Sequence, residues 1–335
     1  MTNSDPAIEP ENRRTMTGAE PIDIAEAEAL LAAEGAEFYS LMARAGAVRE
    51  RHKGRSVTLC GILNAKSGRC PEDCAFCAQS AHHRSGAPIY PLVSSDRIVE
   101  RAHEVEGMGA REYSIVTAGS SVRSDREIGE ICEALGRLQS EGRMLRCASL
   151  GTLPEKTLAR LRDAGLTNYH HNLETARSYF PSVCSTHDYE DDVDTVRRAK
   201  SAGLEVCSGG IFGLGESPAQ RVELAVTLRE LDVDSIPLNF LNPIPGTPLE
   251  GQNDLTPLDC LKIVAVYRLM MPAKDIYVCG GRELNLRDLQ SWIFMAGANG
   301  MMVGNYLTTR GREHTLDLTM IRDLGLTVRP LGAPA

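Results

Sequence analysis

Short runs rich in β-branched and aromatic residues alternate along this chain with longer segments whose apolar positions recur every three or four residues. Eight runs read as strands: VTLCGIL (57–63), EYSIVTAG (112–119), LRCASLG (145–151), NYHHNLE (168–174), EVCSGGIFGLG (205–215), SIPLNFL (235–241), DIYVCGG (275–281) and GMMVGN (300–305). Between them lie amphipathic segments such as DREIGEICEALGRLQSEG and TPLDCLKIVAVYRLMM, several of which open on Asp, Ser, Thr or Pro and end at Gly, as helices do. A repeated strand–helix unit predicts a parallel sheet, and eight units predict a closed α/β barrel, the (β/α)8 TIM type, over residues 54–328. Pro237 falls inside the sixth run, where it removes a ladder donor and leaves that strand's limits open. Ahead of the repeat, residues 22–53 are helix-forming with Gly35 and Gly46 as interruptions, which predicts two or three capping helices. Residues 1–21 are polar and without apolar period, and read as a disordered tail; 329–335 read as a short C-terminal one.

Composition narrows the class of ligand. With 335 residues, 42% of them hydrophobic, the chain can bury one large core. Ten cysteines and no N-terminal apolar targeting segment predict a reducing compartment, the cytoplasm, where thiols serve metals rather than disulfides. No apolar run approaches the roughly twenty residues of a membrane span. A net charge of −9, from 36 basic and 45 acidic residues, argues against a nucleic-acid backbone as partner and leaves a small molecule.

The chemistry concentrates in GRCPEDCAFCAQS, directly after the first strand, where Cys70, Cys74 and Cys77 share one short loop. Three thiolates so spaced can converge on one inorganic centre but leave it a ligand short. A structural zinc site closes with four protein ligands, usually from two knuckles, and no second knuckle follows at that distance; an iron–sulfur cluster tolerates the open corner. With Phe76 before the last cysteine, the loop resembles that of the radical S-adenosylmethionine enzymes. There, three cysteines hold a 4Fe-4S cluster whose fourth iron binds the cofactor's amino and carboxylate groups.

In a barrel of this kind, functional groups gather at the carboxyl ends of the strands. Period two places His170, Asn172 and Glu174 on one face of the fourth strand. Three large polar groups on a buried face need either a polar ligand or a hydrogen-bonded network at the barrel mouth.

The resemblance then narrows. GILNAKSGRCPEDCAFCAQS, CASLGTL, YHHNLETARSYF, EVCSGGIFGLGE, IPLNFLNPIPGTPL, CGGRE and VGNYLTT follow the order and approximate spacing of the biotin synthase family across residues 61–309. Membership would imply insertion of sulfur between C6 and C9 of dethiobiotin by a 5'-deoxyadenosyl radical, with no side-chain acid or base carrying the chemistry, because the C–H bonds are too weakly acidic. It would also imply a homodimer and a flavodoxin- or ferredoxin-type electron donor. By the same resemblance Asn172 and Glu174 bind the cofactor's ribose, Asn172 and Asn239 the substrate's ureido ring, and Thr308 and Thr309 its carboxylate. An amide suits a urea because it both donates and accepts.

The family also keeps a deeper auxiliary cluster, usually 2Fe-2S, as sulfur donor. Cys147, Cys207 and Arg282 match three of its ligand positions, but where a cysteine is usual in the second strand this chain has Ser114, a poor iron ligand beside a thiolate. Asp192 stands where Arg is usual and is associated with the cofactor's carboxylate. Cys60, Cys132, Cys184 and Cys260 match no ligand position and read as core or surface thiols. Cys279 offers itself as the missing ligand. It lies three residues before Arg282, so both can face one cluster only if Gly280 and Gly281 bend the chain. Two arrangements follow: a remodelled site with Cys147, Cys207 and Cys279 as thiolate ligands and Arg282 either a weaker ligand or a neighbour, roomy enough for more than 2Fe-2S, or a packed Cys279 with Ser114 or a small thiol completing the usual one. Rival uses of the same motifs are a sister radical enzyme with another small substrate and a non-catalytic iron–sulfur carrier.

Overall fold

The computed structural model describes residues 21–332, so all but the last residue of the expected N-terminal tail, and residues 333–335, lie outside the described residues. Two helices come first, α1 (Ile24–Leu31) and α2 (Gly35–Lys53). Gly35 opens α2 with φ of +53°, whereas Gly46 lies within the helix without interrupting it. A Cβ at Gly46 would come within 3.0 Å of the Met295 backbone oxygen, so that glycine serves a close approach between segments.

The strands are β1 (Ser56–Lys66), β2 (Glu112–Thr117), β3 (Leu145–Ser149), β4 (Asn168–His170), β5 (Glu205–Cys207), β6 (Gly210–Phe212), β7 (Ser235–Phe240), β8 (Asp275–Val278), β9 (Gly300–Met302) and β10 (Thr327–Val328). Every pairing between these strands is parallel, and β9 returns to β1 at Thr58, Leu59 and Cys60, which closes the sheet. β5 and β6 together form one stave against β7, giving eight staves, while β10 extends the amino end of β1. Pro237 is accommodated at this division. Its donorless nitrogen faces the gap at Ser208 and Gly209, between the Cys207–Ser235 and Gly210–Leu238 pairs, and a Cβ at Gly209 would collide with the Pro237 oxygen at 2.0 Å.

Helices α3 (Ser95–Gly107), α4 (Asp125–Glu141), α5 (Glu155–Asp163), α6 (Tyr189–Ser201), α7 (Pro218–Glu230) and α8 (Pro257–Met270) cover the outside. Ser94, Ser124, Ser217 and Thr256 accept first-turn backbone N–H groups, caps worth about 1 kcal/mol each. α8 lies between the barrel and the pair α1 and α2, and ten of its 14 residues are buried. Its buried Arg268 donates to the carbonyl oxygens of Gly297, Pro272 and Lys274 and to Asn299 Oδ1, so the charge is fully hydrogen-bonded. After β8 the chain makes two short turns, α9 (Arg282–Leu286) and α10 (Trp292–Met295), and α11 (His314–Asp323) follows β9.

Candidate active site

β1 delivers the cysteine loop to the mouth of the barrel. Gly68 and Arg69 turn left-handed, with φ of +77° and +56°, immediately before Cys70; the second is a costly conformation for a residue with a side chain. The loop then closes on itself: Cys77 N donates to Cys74 O at 2.9 Å, Cys70 N to Gln79 O at 3.0 Å, and Ser80 Oγ to Glu72 O at 2.6 Å. Burial raises the Cys70 thiol and pushes Cys77 up to about 11, to which the field of Cys70 adds. Cys74 is raised further, first by its hydrogen bond to Cys184, whose sulfur lies 3.8 Å away. Three half-buried thiols within one another's electrostatic reach suit a three-thiolate 4Fe-4S cluster with an open iron, which would displace their protons as it bound.

Inside the barrel lies a cavity of about 350 Å³. Its walls take alternate residues from each strand: Cys60 and Ile62 from β1, Glu112, Ser114 and Val116 from β2, Cys147 and Ser149 from β3, and Tyr277 from β8 with Cys279 just beyond it. Four cysteines, Cys60, Cys147, Cys207 and Cys279, therefore face one space. The Cys60 thiol is pushed well up, first by a hydrogen bond to Cys279 and then by burial; burial raises Cys147 and Cys207. His170 Nδ1 lies 3.3 Å from Cys207 Sγ, and burial lowers the imidazole to about 4, so it is neutral. Ser114 Oγ and Asn168 Oδ1, both from residues lining this space, are buried with no hydrogen-bond partner. Four thiols beside orphaned polar atoms fit an iron–sulfur cluster.

Arg282 does not join them. Gly281, with φ of +74°, does bend the chain, but the bend turns Arg282 into α9 and off the cavity wall. Its guanidinium, 1% exposed, donates to Asp317 and to Gln290 at 2.5 Å each. Arg282 therefore stands behind the wall as a neighbour of the cysteines, its Nε buried without a hydrogen-bond partner, while Cys60, which was read as an ordinary thiol, lines the wall.

Above the cysteines the cavity is lined by Asn172, Glu174, Asn239, Thr308 and Thr309. β4 ends at His170, yet the backbone continues alongside the next stave, with Leu173 N donating to Gly209 O at 3.0 Å and Ile211 N to Glu174 O at 2.7 Å. His170, Asn172 and Glu174 consequently share the inner face, although Glu174 itself is left-handed at φ +62°. Burial, and then Asp192, push the Glu174 carboxyl up to about 8; Asn172 Nδ2 donates to it at 3.2 Å. Backbone groups orient both amides: Gly209 N donates to Asn172 Oδ1 at 3.2 Å, and Gly280 N to Asn239 Oδ1 at 2.9 Å. Thr308 and Thr309 sit on a loop tied to the first strand by Asn64 Nδ2, which donates to Leu307 O at 2.9 Å. Phe76 lines the same space and packs beside Val183, Leu214 and Leu241. Asp192 is buried between two imidazoles, His171 at 2.8 Å and His187 at 3.3 Å, and its hydrogen bond draws His187 up to about 10. His187 is thus the protonated partner of both Asp192 and Glu72.

Cys60, Glu112 and Tyr277 were not singled out from the sequence. Tyr277 donates its hydroxyl to Glu112 at 2.7 Å, and burial pushes that carboxyl up to about 7. The signal was strand parity: carried through every strand from Cys147, it selects these positions and leaves out Arg282.

Two family models match the chain: the Radical SAM superfamily over residues 65–228 and the Biotin and Thiamin Synthesis associated domain over 237–327. The chain is 60% identical to the biotin synthase of Geobacter sulfurreducens, over 92% of this chain and 94% of that one. It is 54% identical to that of Nitratidesulfovibrio vulgaris, over 96% and 88%. The barrel matches a crystal structure of methylornithine synthase (TM-score 0.82, 21% identity, 95% of this chain and 96% of that one) and the FeFe-hydrogenase maturase of Carboxydothermus hydrogenoformans (0.80, 18%, 94% and 78%). These two likenesses bear on fold alone. With a three-cysteine loop at the mouth of a closed parallel barrel and more than half of its residues shared with such relatives, the chain belongs to the biotin synthase family of radical S-adenosylmethionine enzymes.

Proposed function

We propose that this chain converts dethiobiotin to biotin by inserting sulfur between C6 and C9, with the following residues in the following roles. When bound, the 4Fe-4S cluster supplies the electron that cleaves S-adenosylmethionine to methionine and a 5'-deoxyadenosyl radical, and the auxiliary cluster supplies the sulfur. Cys70, Cys74 and Cys77 hold the first; Cys60, Cys147, Cys207 and Cys279 hold the second. An all-thiolate set needs neither Arg282 nor Ser114 and admits a cluster of 2Fe-2S size or larger. Asn172 and Glu174 orient the cofactor's ribose, Asn172 and Asn239 the ureido ring, and Thr308 and Thr309 the carboxylate. The neutral His170 adds no charge beside Cys207, and Tyr277 holds the Glu112 carboxyl in place by its hydroxyl.

One observation carries this reading: substrate-type polar groups line the same cavity as Cys77 at one end and four cysteines at the other. Such a stack suits a radical formed above the substrate and a sulfur donor below it. Residues 22–53 serve as outer helices and 54–328 as the catalytic barrel. A cytoplasmic homodimer reduced by a flavodoxin- or ferredoxin-type protein is the setting in which these parts would work. The test is anaerobic incubation of reconstituted protein with S-adenosylmethionine, dethiobiotin and a reductant. Biotin is the expected product; cofactor cleavage without dethiobiotin binding would favour a sister enzyme with another small substrate.

A further inference from the structure

Beside the cysteine loop, three donors from two segments meet without serving either cluster. Glu72 belongs to the loop itself, while Cys184 and His187 follow the single-turn helix Phe180–Ser182. His187 Nδ1 lies 3.0 Å from Glu72 Oε2 and 3.2 Å from Cys184 Sγ, and one ligand atom from each of the three residues lies within 4.8 Å of the others. Zinc bonded to one sulfur at about 2.3 Å and to nitrogen and oxygen at about 2.0–2.2 Å places neighbouring ligand atoms ~3.3–3.6 Å apart. Both measured separations fall within about 0.4 Å of a tetrahedral edge. From these distances and this donor set, we infer that Glu72, Cys184 and His187 form a binding site for a zinc-type divalent cation that staples the radical-cluster loop to the barrel rim.

The surroundings are those of a metal ligand set. The other ring nitrogen of His187 faces Asp192 at 3.3 Å, the carboxylate–histidine arrangement that fixes which nitrogen remains free to bind a metal. Phe180 packs edge-on against the same ring, with centroids 5.3 Å apart, and so holds its plane. Thr186 Oγ1, 2.5 Å from Glu72 Oε2, and Asp73 Oδ1, 3.2 Å from Cys184 Sγ, are further oxygen donors beside it. The two segments are already registered by Ala75 N donating to Val183 O at 2.8 Å and Ser185 N to Asp73 Oδ1 at 2.8 Å, so the cation would need little reorganisation. On binding, it takes the place of the proton on His187 Nδ1, which is released to solvent, and bonds the Cys184 sulfur as a thiolate. A thiolate, an imidazole and a carboxylate match the borderline preference of zinc rather than calcium or magnesium, which take oxygen.

The test uses reconstituted protein with its iron content verified, titrated with zinc and read by metal analysis after gel filtration and by zinc K-edge absorption, to which the iron clusters are silent. One zinc per chain with a single sulfur neighbour is expected. Cys184→Ala and His187→Gln should each weaken it tenfold or more with iron unchanged, and Asp192→Asn, which leaves all three donors, should weaken it by roughly ten- to a hundredfold. If Cys184→Ala also loses iron, Asp192→Asn decides. Three sulfur neighbours, meaning zinc in the loop of Cys70, Cys74 and Cys77, would overturn the site, as would affinity unchanged within threefold in the deciding variants or no zinc retained.

Discussion

The two cysteine sets differ in how the chain assembles them. The mouth set lies within eight residues, shaped by a left-handed turn and a few backbone hydrogen bonds of one loop. The inner set comes from Cys60, Cys147, Cys207 and Cys279, on four different staves, and only the closed register of the barrel brings them together. A ligand set of the first kind is encoded by spacing; one of the second kind is encoded by parity and topology. It follows that loop substitutions should act locally, whereas substitutions at the inner set should separate two chemistries that share one cavity.

The largest effect expected is at the mouth. Replacing Cys70, Cys74 or Cys77 by Ser removes one of three protein ligands to the electron-supplying cluster and should reduce 5'-deoxyadenosine formation to background; wild-type rates would break the comparison at its root. Next, Cys60→Ser or Cys279→Ser should stop biotin formation while some cofactor cleavage remains, with iron and sulfide counts and Mössbauer spectra showing loss of the auxiliary cluster alone. Arg282→Lys and Ser114→Ala should keep that cluster, and loss of it in Ser114→Ala with retention in Cys279→Ala would reverse the assignment.

Asn239→Ala removes a group poised between Gly210 and Gly280 and should raise KM for dethiobiotin by about tenfold to a hundredfold, at 1.5–3 kcal/mol for hydrogen bonds lost in a dry site, with less effect on cofactor cleavage. The smallest effect concerns Glu112. Its folded value stands near 7 against an ordinary 4.5, so the folded state keeps its proton longer. Its contribution to stability is present below 4.5 and fades as pH rises through 7, by roughly 2 kcal/mol. Urea unfolding of cluster-free protein at pH 5 and pH 8 should show that decline in the parent and a flatter profile in Glu112→Gln.

The barrel was readable because eight β-rich runs alternate with amphipathic ones, and all eight became staves. The division of the fifth into β5 and β6 was not, since it answers Pro237 on a neighbouring strand that only pairing reveals. Cys70, Cys74 and Cys77 announced themselves by spacing. For Arg282 the motif gave nearness to Cys279 and the glycine bend, but not where the bend sends the side chain, because its partner Asp317 lies 35 residues on. Asp192 was visible as an oddity, but its two imidazole partners, one 21 residues before it and one 5 before it, were not.

The residues proposed to seat dethiobiotin and those proposed to bed the auxiliary cluster line a single cavity. On that assignment turnover would run as a queue in one corridor, with the cluster laid down first, substrate entering above it, and biotin leaving before sulfur is restored. Dethiobiotin in excess would hold the corridor shut against repair, making the substrate an inhibitor of its own enzyme's renewal.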